Sequence, residues 1–461
     1  MLDNSKMVNS ILNGVSLTLG NPSFGSLAFE YTGVNDEARS MEESAYVGTT
    51  LMYTATVYDI SGPDVVAFFN RFCVNKFDKL QVGAIRHAIL CNEKGQIMTD
   101  GVVMRISNDT FRAYCLAPCL SFLFEKYGKD YNITGKDQTG QDTLFQVAGP
   151  EAYNIISEVL KNQVDKLDNL KFAHHDIFEI SGKAVRILRL GMTGNLAYEI
   201  HSNIADGDIV YNAIWESAKK HGAKKIGMQV YTMSHTPGGM PNINMHYPMP
   251  WYESEEGTYL GFSDYLDKNN AGYLQKNRRL VGSVGENLQT RFVTPFDTGW
   301  GNLVKFTHDF PGKEALKKLK DDPKSQRHVV TLEWNADDIA DVYKSQFEGR
   351  DVIPFDSIDE RPVDMYYITG DSDKVTYHAD KVYAGDHEIG ISSMRTVSPY
   401  YQHMISLGFI DGDYTDFGTE LVVLWGNEGH PQKKIRAKVS YYPYVSQDQE
   451  DNRTAKVGSN K

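Results

Sequence analysis

Apolar residues recur with a readable period from about residue 55 onward, whereas the first 55 residues mix polar and apolar positions without one. The run Leu51-Met52-Tyr53-Thr54-Ala55-Thr56-Val57-Tyr58-Asp59-Ile60 is rich in β-branched and aromatic side chains and predicts a strand. It enters the turn Ser61-Gly62-Pro63-Asp64, whose proline suits the first turn of a helix. Val65, Phe68, Phe69 and Phe72 follow at i, i+3, i+4 and i+7, one apolar stripe on a helix. The same pattern returns later. Thr143–Ala148 predicts a strand, Gly149-Pro150-Glu151 a helix start, and Ala152, Ile155, Ile156 and Val159 the stripe. Two such units predict a mixed α/β domain built from two related halves.

Between them, Ala84–Leu90 and Gln96–Val103 flank the polar turn Cys91-Asn92-Glu93-Lys94-Gly95 and predict a hairpin. Ile177–Ile180 and Ala184–Leu190 predict a second one around Ser181-Gly182-Lys183. Residues 232–300, with Pro237, Pro241, Pro248 and Pro250 among many Gly and Asn, read as a long irregular loop, the kind that is usually functional. The charged run Lys317–Lys324 reads as a linker. Beyond it come short strands at Val329–Trp334, Met365–Ile368, Val382–Ala384, Glu388–Met394, Met404–Ile410, Glu420–Leu424 and Ile435–Tyr441, the texture of a small antiparallel barrel or sandwich. The expected class is α+β, with a pseudo-repeated α/β domain over 1–325 and a β domain over 326–461.

With 41% hydrophobic and 23% charged residues the chain has the balance of a globular protein, and its 27 Tyr and 21 Phe serve mostly as core. A net charge of −13, spread along the chain, repels phosphate backbones and argues against a nucleic-acid partner. No stretch approaches the roughly 20 apolar residues that span a bilayer. The segment MLDNSKMVNSILNG lacks the features of an export signal, so the expected compartment is the cytoplasm. Cys73, Cys91, Cys115 and Cys119 show no paired spacing and read as reduced thiols. His174-His175-Asp176 reads as a solvated turn, because no second ligand cluster has suitable spacing for a metal. Phosphate-loop, dinucleotide, zinc-protease and nucleophile-elbow signatures are all missing, so these motifs leave the chemistry open.

Five phrases in order carry a resemblance. They are Leu80–Gly83 with Cys91–Gly101, Phe145–Pro150, Arg189–Ile200, Thr294–Leu316, and Glu388–Gly390 with Ser398-Pro399. Together they resemble the aminomethyltransferase superfamily of the glycine cleavage T-protein. Within it the chain is most similar to the tetrahydrofolate-dependent vanillate, 3-O-methylgallate and syringate O-demethylases. The resemblance implies an enzyme whose partners are tetrahydrofolate, as methyl acceptor, and a small methoxy donor.

It also implies site residues. Glu199 matches the glutamate that receives the pterin's amino and ring N–H groups, a task suited to a bidentate acceptor. Gln146 and Tyr198 match positions beside the same folate. Tyr231 matches a catalytic tyrosine whose hydroxyl stabilises and protonates the leaving oxygen; a core tyrosine at a strand end is the other reading of that residue. Asp100 matches an acid near the folate's reactive nitrogen; a hairpin-end Asp capping its own turn is the other reading of that residue.

The substrate side departs from the relatives. Leu116 stands where they carry a carboxylate-clamping arginine, Met240 where they carry a loop tryptophan, and Tyr53-Thr54 where they carry a His-His pair. A bidentate guanidinium is hard to replace, so an uncharged or differently anchored donor is expected. The competing readings are a one-carbon unit taken from an N-methyl, S-methyl, halomethane or methylenedioxy compound, and a folate-binding protein without turnover.

Overall fold

Strand–glycine–helix units open both halves of the α/β domain in the computed structural model, which describes residues 11, 14–21, 25–49, 55–243, 245–358, 365–366 and 375–447. Val57–Ser61 leads into the helix Val65–Phe72, and Asp142–Ala148 leads into Ala152–Leu160. Each turn depends on a glycine with positive φ, 138° at Gly62 and 119° at Gly149. A Cβ would stand 2.3 Å from the Asn132 carbonyl at the first and 2.8 Å from the Ser44 carbonyl at the second, so no other residue fits. The stripe Val65, Phe68, Phe69 and Phe72 is wholly buried. Each such side chain stabilises the fold by about 1.5–3 kcal/mol relative to exposure. In the second helix Leu160 takes the innermost place expected of Val159, which is only partly covered.

The first half forms a five-stranded antiparallel sheet in the order Ile85–Cys91, Ile97–Arg105, Thr110–Tyr114, Val57–Ser61, Thr134–Asp137. The second forms a six-stranded sheet in the order His175–Ile180, Lys183–Leu188, Ala197–Asn203, Asp142–Ala148, Tyr46–Thr49, Lys224–Ile226. Because strand side chains alternate between faces, each sheet turns one face to its helices. Phe111 and Ala113 pack with the first helix, and Phe145, Val147, Tyr198 and Ile200 with the second. The intervening positions Val57, Ile85, Met104, Tyr114, Leu144 and Leu188 meet in one cluster, a seam where the two sheets face each other.

Toward the C-terminus a closed six-stranded antiparallel barrel runs Val375–Ala384, His387–Ser398, His403–Asp411, Arg327–Trp334, Lys433–Ser440, Glu420–Trp425. Pairing of Val382 with Val423 closes the ring. Closure removes the exposed edges that an open sheet of short strands would leave. The strand Arg278–Val281 lies parallel against Val375–His378, so the long segment before the barrel adds to its sheet.

Three local expectations differ from what is observed. Residues 232–300 are not all irregular: they hold the helices Phe262–Asn269 and Tyr273–Lys276, and Trp251, Tyr259 and Phe262 enter the aromatic core of the first half. The run Lys317–Lys324 is largely helix, part of Lys313–Asp321, which buries Leu316 and exposes its charges. His174-His175-Asp176 is no solvated turn. His175 starts a strand, lies buried, and its Nδ1 contacts the Arg186 guanidinium at 2.7 Å. Among the described residues, no group of three or more His, Cys, Asp or Glu could hold a metal, and no helix is long and apolar enough to cross a membrane. Tyr53 lies outside the described residues.

Candidate folate and one-carbon transfer site

Glu199 and Gln146 are direct partners in the antiparallel ladder between Ala197–Asn203 and Asp142–Ala148. Partners across such a ladder share a face, here the face that carries Leu144, Leu188 and His201 toward the seam. Both are buried, Glu199 at 3% exposure and Gln146 at 0%. Glu199 Oε2 receives a hydrogen bond from His201 Nε2 at 3.3 Å.

Immediately before this strand the chain turns through Gly191–Asn195. A Cβ on Gly191 would meet that of Ala197 at 2.3 Å, and the Gln146 amide nitrogen stands 3.6 Å from the same point. Thr193 Oγ1 and Asn195 Oδ1 in this turn are buried without a hydrogen-bond partner among the described residues. Buried polar atoms of that kind are uncommon and point to a missing partner.

Asp100 comes from the other sheet, on Ile97–Arg105. Its Oδ2 lies 2.8 Å from His87 Nε2, and its Oδ1 accepts from the Tyr247 hydroxyl at 3.2 Å. His87 in turn packs edge-on against Trp300, with 4.6 Å between centroids. Asp100 is therefore held from two sides by other elements, which is more than a hairpin-end cap requires.

The Cys115 thiol feels both carboxylates. Burial, then the charges of Asp100 and Glu199, push its thiol up to about 12, so it stays protonated and is no nucleophile. Its φ of 65° is unusual for a residue with a Cβ. All four cysteines are free.

Tyr231 is in a helix, Met228–Ser234, and not at a strand end. The preceding strand stops at Ile226, and the extended backbone of Gly227 packs so closely against the strand Gly25–Glu30 that a Cβ would stand 2.1 Å from the Phe29 carbonyl. Buried Glu37 fixes this junction by accepting from the backbone of Gly227 at 2.7 Å, Tyr31 at 2.7 Å and Thr32 at 2.9 Å. The buried Tyr231 shares a cluster with Ala148 and Ala197, two residues along the strands from Gln146 and Glu199, and with Met233, Met245 and Met394.

The remaining sequence-based candidates lie apart. Tyr198 faces the opposite side of its strand and packs among the helices of the second half, so it backs the site without sharing the face of Glu199. Leu116 is in the aromatic core of the first half, next to Cys115. Met240 is half-buried beyond the Tyr231 helix, its N–H bonded to the His235 carbonyl at 3.0 Å.

Sequence reasoning missed His201, Tyr114, His87, Cys115 and Tyr247 as neighbours of the site. His201 was within reach, since two-residue spacing on a strand puts it beside Glu199. Tyr247 was not, because its segment has no period and only the tertiary fold brings it to Asp100.

A family model described as the GCVT N-terminal domain matches residues 26–243. A sesamin methylene transferase from a Sinomonas species is 46% identical over 438 residues, covering 95% of this chain and 94% of that protein. A syringate O-demethylase from a Sphingobium species is 27% identical, covering 90% and 89%. Among solved structures, the glycine cleavage system aminomethyltransferase T from Bartonella henselae has the same fold, with a TM-score of 0.65 at 15% identity over 97% of this chain and 99% of that one. Two facing half-sheets, a C-terminal barrel, and near full-length similarity to a transferase and a demethylase agree: the chain belongs to the GCVT aminomethyltransferase family and is a transferase of one-carbon groups.

Proposed function

We propose that the protein transfers the methyl group of a small aromatic methoxy donor to N5 of tetrahydrofolate, giving 5-methyltetrahydrofolate and a phenol. The observation that supports this reading is the pair of facing sheets, one carrying a buried carboxylate and amide side by side and the other a second buried carboxylate. The residues suit a reduced pterin. Glu199 offers an acceptor pair for its amino and ring N–H groups, and Gln146 can both donate and accept. The unpartnered Thr193 Oγ1 and Asn195 Oδ1 add polar atoms in want of a partner.

Bound tetrahydrofolate supplies the nitrogen nucleophile. As the methyl carbon bonds to N5, its bond to the ether oxygen breaks and negative charge gathers on that oxygen. Tyr231 gives its hydroxyl proton there, which avoids release of a bare phenolate. Asp100, held ready by His87 and Tyr247, takes the proton that N5 loses, and exchange with solvent restores both groups. No oxidant or reductant is needed.

A second reading has one specific observation behind it: the 46%-identical relative is named for moving a methylene group. A methylenedioxy donor would then give 5,10-methylenetetrahydrofolate and a catechol. The deciding experiment incubates the protein and tetrahydrofolate with paired methoxy and methylenedioxy aromatics and resolves the folate products by mass. Methylated folate from the methoxy series supports the first reading, methylene folate from the other series supports the second, and unchanged folate with every donor would refute both.

A further inference from the structure

Glu199 and His201 are two residues apart on one strand, so their side chains leave the same face. His201 Nε2 lies 3.3 Å from Glu199 Oε2, and His201 Nδ1 lies 3.1 Å from the Tyr114 hydroxyl on the opposite sheet. The network continues. Tyr114 lies 3.4 Å from Asp142 Oδ2, and the Arg112 guanidinium holds Asp142 at 2.7 Å and Asp59 at 2.7 and 2.9 Å.

The proton on His201 Nε2 can be assigned from its partner alone. An ionised Glu199 only accepts, so His201 Nε2 must carry hydrogen. Nδ1 is then left for the Tyr114 hydroxyl, which holds the ring from the opposite sheet. That contact is shorter than the one to Asp142, and Asp142 is already satisfied by Arg112. Reversing the tautomer would set the lone pair of Nε2 against the Glu199 carboxylate.

We propose that His201 and Tyr114 are positioning residues for the pterin-binding carboxylate, a relay across the seam that orients Glu199 through one lone pair of Oε2 and leaves a lone pair on each oxygen to the ligand. The proposal rests on the folate reading of Glu199. Both groups are buried, His201 at 4% exposure, so water cannot stand in for either. The relay also joins the two half-sheets at the point where the ligand would bridge them. Positioning partners of this kind orient a group without touching what it binds.

The test compares wild type with H201F, H201Q and Y114F, measuring tetrahydrofolate affinity by calorimetry and KM and kcat by turnover. Phenylalanine keeps the ring and removes the donor; glutamine restores a donor through its amide. H201F is expected to weaken tetrahydrofolate binding ~10- to 100-fold, the scale of one hydrogen bond to a buried charge. Its kcat at saturating folate should stay within ~3-fold, since the transferring groups are untouched. H201Q should recover most of the affinity, and Y114F should lose ~3- to 10-fold because the ring is no longer held from the opposite sheet. Wild-type affinity in H201F, or H201Q no better than H201F, overturns the relay. Should H201F fail to fold, Y114F decides: wild-type affinity there overturns the proposal, and a loss supports it. A wild type that binds no tetrahydrofolate would sink the folate reading itself, a distinct result.

Discussion

The imidazole of His235 stands edge-on to the phenol ring of Tyr231, with 4.9 Å between centroids, and its Nδ1–H donates to the Tyr231 carbonyl at 2.9 Å. The ring chosen as proton donor is thus braced by a residue one turn further along its own helix. Tyr231→Phe should leave Tm and folate affinity close to wild type while kcat falls ~10²-fold, the usual scale for losing an acid or oxyanion donor. Normal turnover in this variant would mean that Tyr231 is only a wall.

Glu199→Ala should abolish measurable tetrahydrofolate binding with the fold intact, since each pterin N–H left unpaired in a buried site costs about 1–3 kcal/mol. Calorimetry is the check, with circular dichroism to verify folding. Unchanged affinity would remove Glu199 from the site.

Three buried histidines make stability depend on pH. Burial pulls His175 and His235 down to about 4 and His246 to about 3, the first helped by Arg186 and the last by His235. In the unfolded chain each titrates near 6.5. Their lowered folded pKa means that the unfolded state binds more protons below about pH 6.5, so stability is full above that value and is lost as pH falls toward 4. At pH ~5.5 each should remove about 1 kcal/mol, or a few degrees of Tm. His235→Asn keeps a donor to the Tyr231 carbonyl and should flatten the profile relative to wild type. Superimposable Tm–pH curves for the two proteins would contradict this.

Much of the fold was legible because its signals are local. The stripe Val65, Phe68, Phe69, Phe72 and the turn at Gly62 are set by neighbours in sequence, and they recur at Gly149. The helix in the irregular segment has a weak signal because it is short and only Phe262 and Leu266 are fully buried in it, with Tyr265 partly covered. The site divides in the same way. Glu199 and Gln146 stand in strong strand patterns, and pairing follows from the ladder. The Asp100–Tyr247 contact joins residues 147 apart, and no periodicity announces such a contact. Tyr231 was expected at a strand end because nothing in Ile226-Gly227-Met228 reveals that buried Glu37 will turn the chain there.

Donor choice follows from where the basic residues are committed. Leu116 is 1% exposed in an apolar core, so an arginine introduced there would be a buried charge without a partner. Arg86 donates to the Lys76 carbonyl, Arg278 pairs with Glu253, and Arg395 lies over the Trp425 ring at 5.5 Å. Neutral methoxyphenols should therefore exceed their benzoate analogues in kcat/KM by ~10-fold or more, since a desolvated carboxylate gains no clamp. Leu116→Arg should narrow that ratio and lower Tm. A wild type that prefers the benzoate would require one of the three named arginines to turn toward the donor.

The most direct test of the central claim follows the carbon itself. A guaiacol-like donor carrying a trideuterated methoxy group is incubated with the protein and tetrahydrofolate, and both products are quantified by mass spectrometry. The expected result is 5-methyltetrahydrofolate with all three deuteriums retained, in equal amount to the demethylated phenol and absent in Tyr231→Phe on the same timescale. Phenol formed without labelled folate, or label appearing in formaldehyde, would contradict methyl transfer to tetrahydrofolate.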